Sequence, residues 1–148
     1  MNNKNLKITE FQESDLNALR ELFLKSRIKT FFWMDSITFN LLDFDKETQG
    51  EYILTVLCDD KVIGFISVWI PTNFIHHLYI DESFHKRGIG KELLKTVIEK
   101  TGLPIRLKCL EKNTDAIQFY KKLGFEKREK GESENGSYYV MKLSEDIE

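Results

Sequence analysis

The chain reads FIHHLYIDESFHKRGIGKELLKTVI from Phe74 to Ile98. The apolar and aromatic residues up to Ile80 predict a strand, and leucine, valine and isoleucine at helical spacing after the glycines predict an amphipathic helix. Between them, Gly88 and Gly90 let the main chain turn tightly so that successive N–H groups point outward, and the helix adds the positive end of its dipole. The stretch therefore predicts a backbone cradle for an anion such as a phosphate.

Two common phosphate-binding motifs do not match this cradle. The nucleoside triphosphate loop requires a glycine where the chain has His85 and a hydroxyl residue where it has Glu92. The dinucleotide-binding fingerprint requires a small residue at the position of Leu93. What remains is a Gly-x-Gly turn before a helix, which by itself is also typical of an ordinary tight turn.

A second stretch, NTDAIQFYKKLGF, runs from Asn113 to Phe125 and predicts a short amphipathic helix. Asn113 suits the N-cap, and Gly124 suits the left-handed residue after the last turn. Apolar and aromatic side chains share one face of this helix: Ala116, Phe119, Tyr120 and Leu123. Each of these residues is therefore also compatible with a purely structural role in capping, packing or ending a helix.

Taken together, the two stretches resemble the GCN5-related N-acetyltransferase (GNAT) family. The first is similar to the family's coenzyme A loop, R/Q-x-x-G-x-G/A, with His85 where the family more often has Arg or Gln. The second is similar to the element N-x-x-A-x-x-F-Y-x-x-x-G-F in both order and spacing. The resemblance implies an α/β fold with a single mixed, mostly antiparallel sheet of roughly six to seven strands flanked by helices. The sheet would splay between the two motif-bearing strands, within one N-acetyltransferase domain over residues 1–148.

The resemblance also implies that acetyl-CoA is the co-substrate and that no metal takes part. The pantetheine arm would lie along the open backbone edge at Leu78, Tyr79 and Ile80 like an added strand. Asn113 and Tyr120 would contact the same coenzyme. The pyrophosphate would lie over the loop residues His85, Lys86, Arg87, Gly88, Ile89, Gly90 and Lys91.

Acetyl transfer to an amine requires an acid for the departing thiolate. Tyr120 stands at the position that donates this proton in the family which the chain resembles. A phenol with an ordinary pKa of about 10 suits a thiol near about 8.5, whereas a carboxylic acid would already be ionised. The alternative is a tyrosine whose ring only packs and whose hydroxyl finds a partner.

The attacking amine must also lose a proton, which for a lysine-like amine at pH 7 costs about 4 to 5 kcal/mol. His76 and His77 lie in the strand beside the expected acetyl group, and alternation along a strand would let only one of them face a given side of the sheet. Glu111, at the end of the neighbouring strand, is the third candidate base. Each of them is also compatible with a structural or solvated role. Some family members that acetylate protein N-termini carry a glutamate where this chain has Lys108, which argues against that substrate class.

The acceptor pocket is expected after the first helix, where the family places variable, substrate-facing structure. Its candidate residues are Arg27, Phe31, Phe32 and Trp33. An aromatic wall would suit an amine on a modest apolar group, although the same aromatics are candidates for the core. The acids that follow could instead attract a cation: Asp35, Asp43, Asp45 and Glu47. A small-molecule and a peptide amine therefore both remain open as the acceptor.

Length and composition limit the class of protein. A chain of 148 residues, 41% of them hydrophobic, can bury one core and is too short for two ordinary domains. The formal charge of -2 gives no electrostatic support for a nucleic acid or a membrane as partner. Cys58 and Cys109 lie in apolar runs without metal-binding spacing and suggest reduced thiols. With no apolar leader after Met1 and no run of membrane-spanning length, a cytoplasmic location is expected.

The rest of the chain predicts an alternation of strands and helices. Strands are expected at Leu6–Thr9, Tyr52–Cys58, Val62–Trp69 and Ile105–Leu110, and as a last pair around a turn at Asn135-Gly136. A helix capped by Ser14 is expected to bury Leu16, Leu19, Leu22 and Phe23, and a second helix is expected from Ser36 to Phe44.

Two other classes remain open besides an enzyme. A sensor or regulatory module would bind acyl-CoA without transferring the acyl group, and a structural or interaction domain would not bind coenzyme A. The resemblance is also compatible with a homodimer, because family members often pair.

Overall fold

The computed structural model describes residues 5–148. Its strands are β1 (Leu6–Glu10), β2 (Tyr52–Cys58), β3 (Lys61–Trp69), β4 (Phe74–Ile80), β5 (Ile105–Leu110), β6 (Glu126–Ser133) and β7 (Gly136–Leu143). They form one sheet in the order β1-β2-β3-β4-β5-β7-β6. Neighbouring strands are antiparallel except β4 and β5, which are parallel. The predicted α/β class with a mixed, mostly antiparallel sheet is confirmed.

Helices cover both faces of the sheet: α1 (Leu16–Thr30), α2 (Asp43–Glu47), α3 (Ile89–Thr101) and α4 (Thr114–Lys122). Alternation along the strands divides their side chains between two apolar clusters. On one face, α1 and α2 enclose a cluster that includes Phe23, Phe44 and Phe65. On the other face, α3 and α4 pack on a larger cluster that includes Leu93 and Tyr120. The predicted buried faces of α1, α3 and α4 are confirmed. Within residues 5–148, none of the helices is long and apolar enough to cross a membrane.

The sheet opens between β4 and β5. These strands pair only at Phe74 with Arg106 and at Ile75 with Leu107. On its other side, β4 stays paired with β3 as far as Ile80. The later part of β4 therefore presents a free backbone edge to a gap, and the predicted splay is confirmed.

A β-bulge interrupts β4 within this region. The pairing with β3 passes from Ser67 with His77 directly to Val68 with Ile75, so His76 is the extra residue. A bulge breaks the strict alternation of side chains along a strand. The rings of His76 and His77 stack with their centroids 4.0 Å apart. The prediction that only one of these histidines could face a given side is therefore wrong.

Two helix predictions also require correction. Ser14 does not cap α1, because it lies inside a single 3-10 turn (Glu13–Asp15) that precedes the helix. The helix expected from Ser36 to Phe44 is wrong, since only a 3-10 turn (Ser36–Thr38) forms before α2 begins at Asp43. The Asp35 carboxylate accepts the Ile37 N–H, and the Asp43 carboxylate accepts the Asn40 N–H. Such local bonds to the backbone compete with helix formation.

Candidate active site

Three side chains with dissociable protons lie near the gap between β4 and β5. Tyr79 comes from β4, Cys109 from β5 and Tyr120 from α4, and they are close enough to influence one another's pKa. Burial raises the pKa of both tyrosine hydroxyls, and it raises the pKa of the Cys109 thiol to about 11. All three groups are therefore protonated at neutral pH and can act only as proton donors there.

Helix α4 fixes the position of Tyr120. The Asn113 side chain accepts the Ala116 N–H at 3.4 Å and caps the helix, as predicted. Gly124 follows the last turn with a φ of 106°, in the region that favours glycine. Between these ends, the Tyr120 ring packs edge-on against Phe119 and Phe125, with centroids 5.1 and 5.3 Å away. The hydroxyl is thus carried by a ring that is held on two sides.

The loop before α3 has the geometry of an anion cradle. Lys86 and Gly88 have φ angles of 62° and 75°, and the first helical bond runs from the Glu92 N–H to the Gly88 carbonyl at 3.1 Å. The N–H groups from Ile89 to Lys91 therefore precede the helical bonds and point out of the helix end. A Cβ placed on Gly88 would meet nothing within 4 Å, so the space in front of the loop is open. The residues present fit a phosphate group.

Two loop side chains bind the protein itself. His85 donates from Nε2 to the Ile80 carbonyl at 2.7 Å, which ties the loop to the end of β4. Arg87 lies over the Phe84 ring at 4.8 Å and donates to the Ser83 carbonyl at 3.2 Å. Lys86 is exposed, and Lys91 is half-buried in the first turn of α3. The cradle therefore relies on backbone more than on the side chain of His85.

We expect Gly88→Ala to raise the dissociation constant of coenzyme A about tenfold, which corresponds to about 1.4 kcal/mol. Alanine at a φ of 75° is strained by about 1 to 2 kcal/mol, and relief of that strain would turn the N–H groups away. Calorimetric titration with coenzyme A measures the effect. The control is Gly102→Ala at the far end of α3, where a φ of 76° with a ψ of -174° strains alanine at least as much. An equal loss of affinity in the control would show that general loss of stability is the cause.

The three candidate bases lie in different surroundings. The His77 ring is buried, and burial is the main cause that lowers its pKa to about 2, so it stays neutral. His76 is exposed, and its Nδ1 lies 2.9 Å from Oε2 of Glu51. Glu111 pairs with Lys130 at 3.4 Å and lines a separate pocket beside α4. Of the three, His76 combines an accessible ring with a carboxylate that orients it.

The residues predicted for acceptor binding separate into two groups. Arg27 is 6% exposed and lies under the Phe23 ring at 3.9 Å, with its Nη1 3.1 Å from Asp43. It is therefore part of the packing between α1 and α2. Phe31 and Phe32 both make edge contacts with Trp33, at 5.6 and 5.4 Å, and Phe32 is 80% exposed. These three aromatics form a cluster after α1 in which Phe31 and Trp33 are half-buried.

A shallow pocket of about 320 Å³ lies beside His76. Glu51, Trp69, Thr72 and Phe74 complete its lining. Sequence reasoning missed this pocket, although Trp69 just before Pro71, at the end of an apolar run, is an available signal. The structure leaves this tryptophan 43% exposed. The pocket offers an anion, aromatic faces and an imidazole within one concavity.

The thiol of Cys109 should react slowly with thiol reagents. A pKa of about 11, against the ordinary 9.0, leaves about 100-fold less thiolate at pH 7.5. In the Cys58→Ala variant, Cys109 is the remaining thiol. We expect it to react with a thiol reagent at least about 100-fold more slowly in the folded protein than in the protein unfolded in guanidinium. A folded rate equal to the unfolded rate would contradict the burial of this thiol.

A match over most of the sequence identifies the family. Residues 16–125 match the family described as the Acetyltransferase (GNAT) family, and the chain therefore belongs to that family. The chain is also 38% identical over 87 residues to an uncharacterized N-acetyltransferase of Methanocaldococcus jannaschii. That match covers 56% of this chain and 38% of the relative, so the chain spans less than half the length of the curated relative it matches.

Solved structures share this fold. A GCN5-related N-acetyltransferase of Rhodopseudomonas palustris has a TM-score of 0.80 and 16% identity, over 97% of this chain and 98% of that chain. The PaiA N-acetyltransferase of Thermoplasma acidophilum, solved in complex with coenzyme A, has a TM-score of 0.76 and 22% identity, over 95% and 99%. Naa50 of Arabidopsis thaliana, in complex with the bisubstrate analogue CoA-Ac-MVNAL, has a TM-score of 0.71 and 22% identity, over 95% and 99%. These likenesses confirm the GNAT fold.

Proposed function

We propose that this protein is an acetyl-CoA-dependent N-acetyltransferase. It transfers the acetyl group to a primary amine by direct attack in a ternary complex, within a single domain spanning residues 1–148. The observation that carries the proposal is the gap between β4 and β5, which has a protonated Tyr120 at its side and a phosphate cradle at its end. A location in the cytoplasm is consistent with Cys58 and Cys109, which are both free thiols.

The coenzyme would be held mainly by backbone. Residues Leu78, Tyr79 and Ile80 offer an unpaired strand edge for the pantetheine arm, and the loop from His85 to Lys91 offers N–H groups for the pyrophosphate. The Asn113 oxygen is used by the N-cap, so its amide NH₂ is the part that could reach the pantetheine. Binding of coenzyme A by the similar Thermoplasma acidophilum structure is consistent with this arrangement.

Tyr120 would act as the general acid. Its hydroxyl proton would pass to the coenzyme A sulfur as the bond between sulfur and the acetyl carbon breaks. Burial raises the pKa of this phenol, which keeps it protonated but makes it a weaker acid toward a thiol with an ordinary pKa of about 8.5. The thiolate would form in the same buried gap, where desolvation disfavours its charge and raises the pKa of the thiol as well, so the transfer is still supported. The Cys109 thiol is protonated by the same burial, so it is a poor acetyl carrier, which supports direct attack.

His76 would receive the proton of the attacking amine. The carboxylate of Glu51 at 2.9 Å holds the proton on Nδ1, which leaves Nε2 to accept. Trp69 and Phe74 in the adjoining pocket would contact the carbon chain of the acceptor. The pocket therefore favours a primary amine on a small molecule or a peptide. The aromatic cluster of Phe31, Phe32 and Trp33 would extend the acceptor site, whereas Arg27 would stabilise it from below.

The test is free-thiol release from acetyl-CoA across a broad panel of primary amines, with a blank that lacks amine. Release that depends on the amine, together with the acetylated amine in the mass spectrum, is the expected result. Calorimetry with acetyl-CoA runs alongside. Saturable binding without transfer to any amine would instead support an acyl-CoA sensor. Failure to bind acetyl-CoA would contradict both the acetyltransferase and the sensor.

A further inference from the structure

The proposed acceptor side of the molecule carries a cluster of metal-binding side chains. Glu47, His76 and His77 each offer one ligand atom, and these atoms all lie within 4.8 Å of one another. We propose that this trio binds one Zn²⁺ or a similar late transition-metal ion. Two imidazoles and one carboxylate form a ligand set that suits zinc and leaves a fourth position open, whereas Mg²⁺ and Ca²⁺ prefer oxygen ligands.

The bulge in β4 makes this arrangement available. Two consecutive residues of a regular strand point to opposite faces and could not bind the same ion. Because His76 is the extra residue of the bulge, its ring stacks on that of His77 with centroids 4.0 Å apart. Both rings therefore lie on the side where α2 ends, and α2 supplies Glu47.

His77 supplies an independent sign that a ligand is missing. Its ring is 9% exposed, and Nε2 is buried without a hydrogen-bond partner. The nearest acidic atom is Oε1 of Glu47 at 3.8 Å, too far for a hydrogen bond. A buried polar nitrogen is normally paired, so its lone pair is free for an ion held between it and the carboxylate.

Glu51 lies where a metal site commonly has a carboxylate that binds a ligating histidine instead of the ion. Its Oε2 lies 2.9 Å from Nδ1 of His76, and its side chain is 5% exposed. In metal sites a carboxylate commonly holds one ring nitrogen of a ligating histidine and fixes the other toward the metal. The second oxygen of Glu51, Oε1, is itself buried without a partner. Glu51 would therefore position His76 and add negative charge near the ion.

The neighbouring charges leave one Glu47 oxygen for the metal. Arg27 contacts Oε2 of Glu47 at 3.4 Å, and Asp43 at 3.1 Å shares that cation. Oε1 of Glu47 points to the histidine side instead. An ion at this position would occupy the His76 nitrogen that receives the amine proton, so a filled site should inhibit acetyl transfer. This last consequence rests on the proposed function, whereas metal binding does not.

The experiment uses the full chain after removal of metals with a chelator. Co²⁺ is added as a spectroscopic probe, and Zn²⁺ affinity is measured by competition with a chromophoric chelator, both without acetyl-CoA. We expect one ion per chain and visible Co²⁺ bands typical of nitrogen and oxygen ligands in tetrahedral geometry. Glu47→Gln should weaken binding at least about 100-fold, and Glu51→Gln about 10- to 100-fold. The matched control is Glu99→Gln, an exposed residue on α3 that should bind like the unmodified protein.

Three outcomes would overturn the proposal. They are no Zn²⁺ binding in the micromolar range, equal affinity in Glu47→Gln, and an equal loss in Glu99→Gln. Circular dichroism of each variant checks that it is folded. Inhibition is read as acetylated amine, because the released coenzyme A thiol itself binds Zn²⁺. A protein that binds the ion but is inactive even when it is metal-free would refute the proposed function alone, and an active protein that does not bind the ion would refute the metal site alone.

Discussion

Tyr120→Phe should lower kcat by about 10²- to 10⁴-fold, the usual contribution of a general acid. The substitution removes the hydroxyl and keeps the ring that packs between Phe119 and Phe125, so the helix and the gap should keep their shape. Coenzyme A affinity should stay close to that of the unmodified protein, because the cradle is formed elsewhere. The loss would therefore appear in turnover and not in binding.

The measurement is steady-state acetylation of the best amine from the panel, together with calorimetry for coenzyme A. Tyr139→Phe is the matched control, since this half-buried tyrosine lies on β7 beside Lys127, at 4.1 Å. The control should retain full turnover. An unchanged kcat in Tyr120→Phe would remove this hydroxyl from the mechanism, and an equal loss in both variants would point to damage that is not specific to the site.

Arg27→Ala should lower the free energy of unfolding by about 3 kcal/mol, near the low end for breaking a buried ion pair. The guanidinium is almost fully buried, contacts the Phe23 ring, and donates to the Phe23 and Asn40 carbonyls, both at 3.3 Å. Its removal would leave the carboxylate of Asp43 without its partner at 3.1 Å. The side chain of Asp43 is 19% exposed, which keeps the expected loss at the low end of the range.

Urea denaturation measures this loss, and a double-mutant cycle with Asp43→Asn isolates the pair. Arg20→Ala is the matched control on the same helix, because Arg20 pairs with Asp45 at 2.7 Å on the surface. Surface pairs contribute little, so the control should lose much less stability. If Arg27 recognises the acceptor directly, Arg27→Ala would instead raise KM without a change in the urea midpoint.

Much of the fold follows from local patterns in the sequence. The strands Tyr52–Cys58 and Ile105–Leu110 coincide with the predicted bounds, because runs of apolar residues at strand spacing have few alternatives there. In α3 and in α4, the residues that suit the helix ends and the apolar face between them predict the same helical segment. Two family motifs in the right order then determine the topology, including the one parallel pair.

Other features depend on contacts that no local pattern encodes. The helix predicted from Ser36 to Phe44 fails because the Asp35 and Asp43 carboxylates bind nearby backbone N–H groups. The sequence places Arg27 among the residues of the acceptor pocket, but the burial of its guanidinium depends on Asp43, which lies 16 residues further along the chain. The roles of the site residues stay predictions until the variants are measured.

The bulge at His76 also lets β4 hold one extra residue while each half of the strand keeps its own core. Ile75 packs into the same cluster as Leu78 and Ile80, an odd spacing that a regular strand cannot produce. His77 and Tyr79 face the opposite cluster, against Phe23. Deletion of His76 would make Ile75 and His77 consecutive residues that still pair with Val68 and Ser67, so regular alternation would keep both halves of the strand on their present faces. The bulge therefore adds one imidazole beside the pocket without changing what the rest of β4 buries, and a chain that lacks residue 76 should form the same sheet.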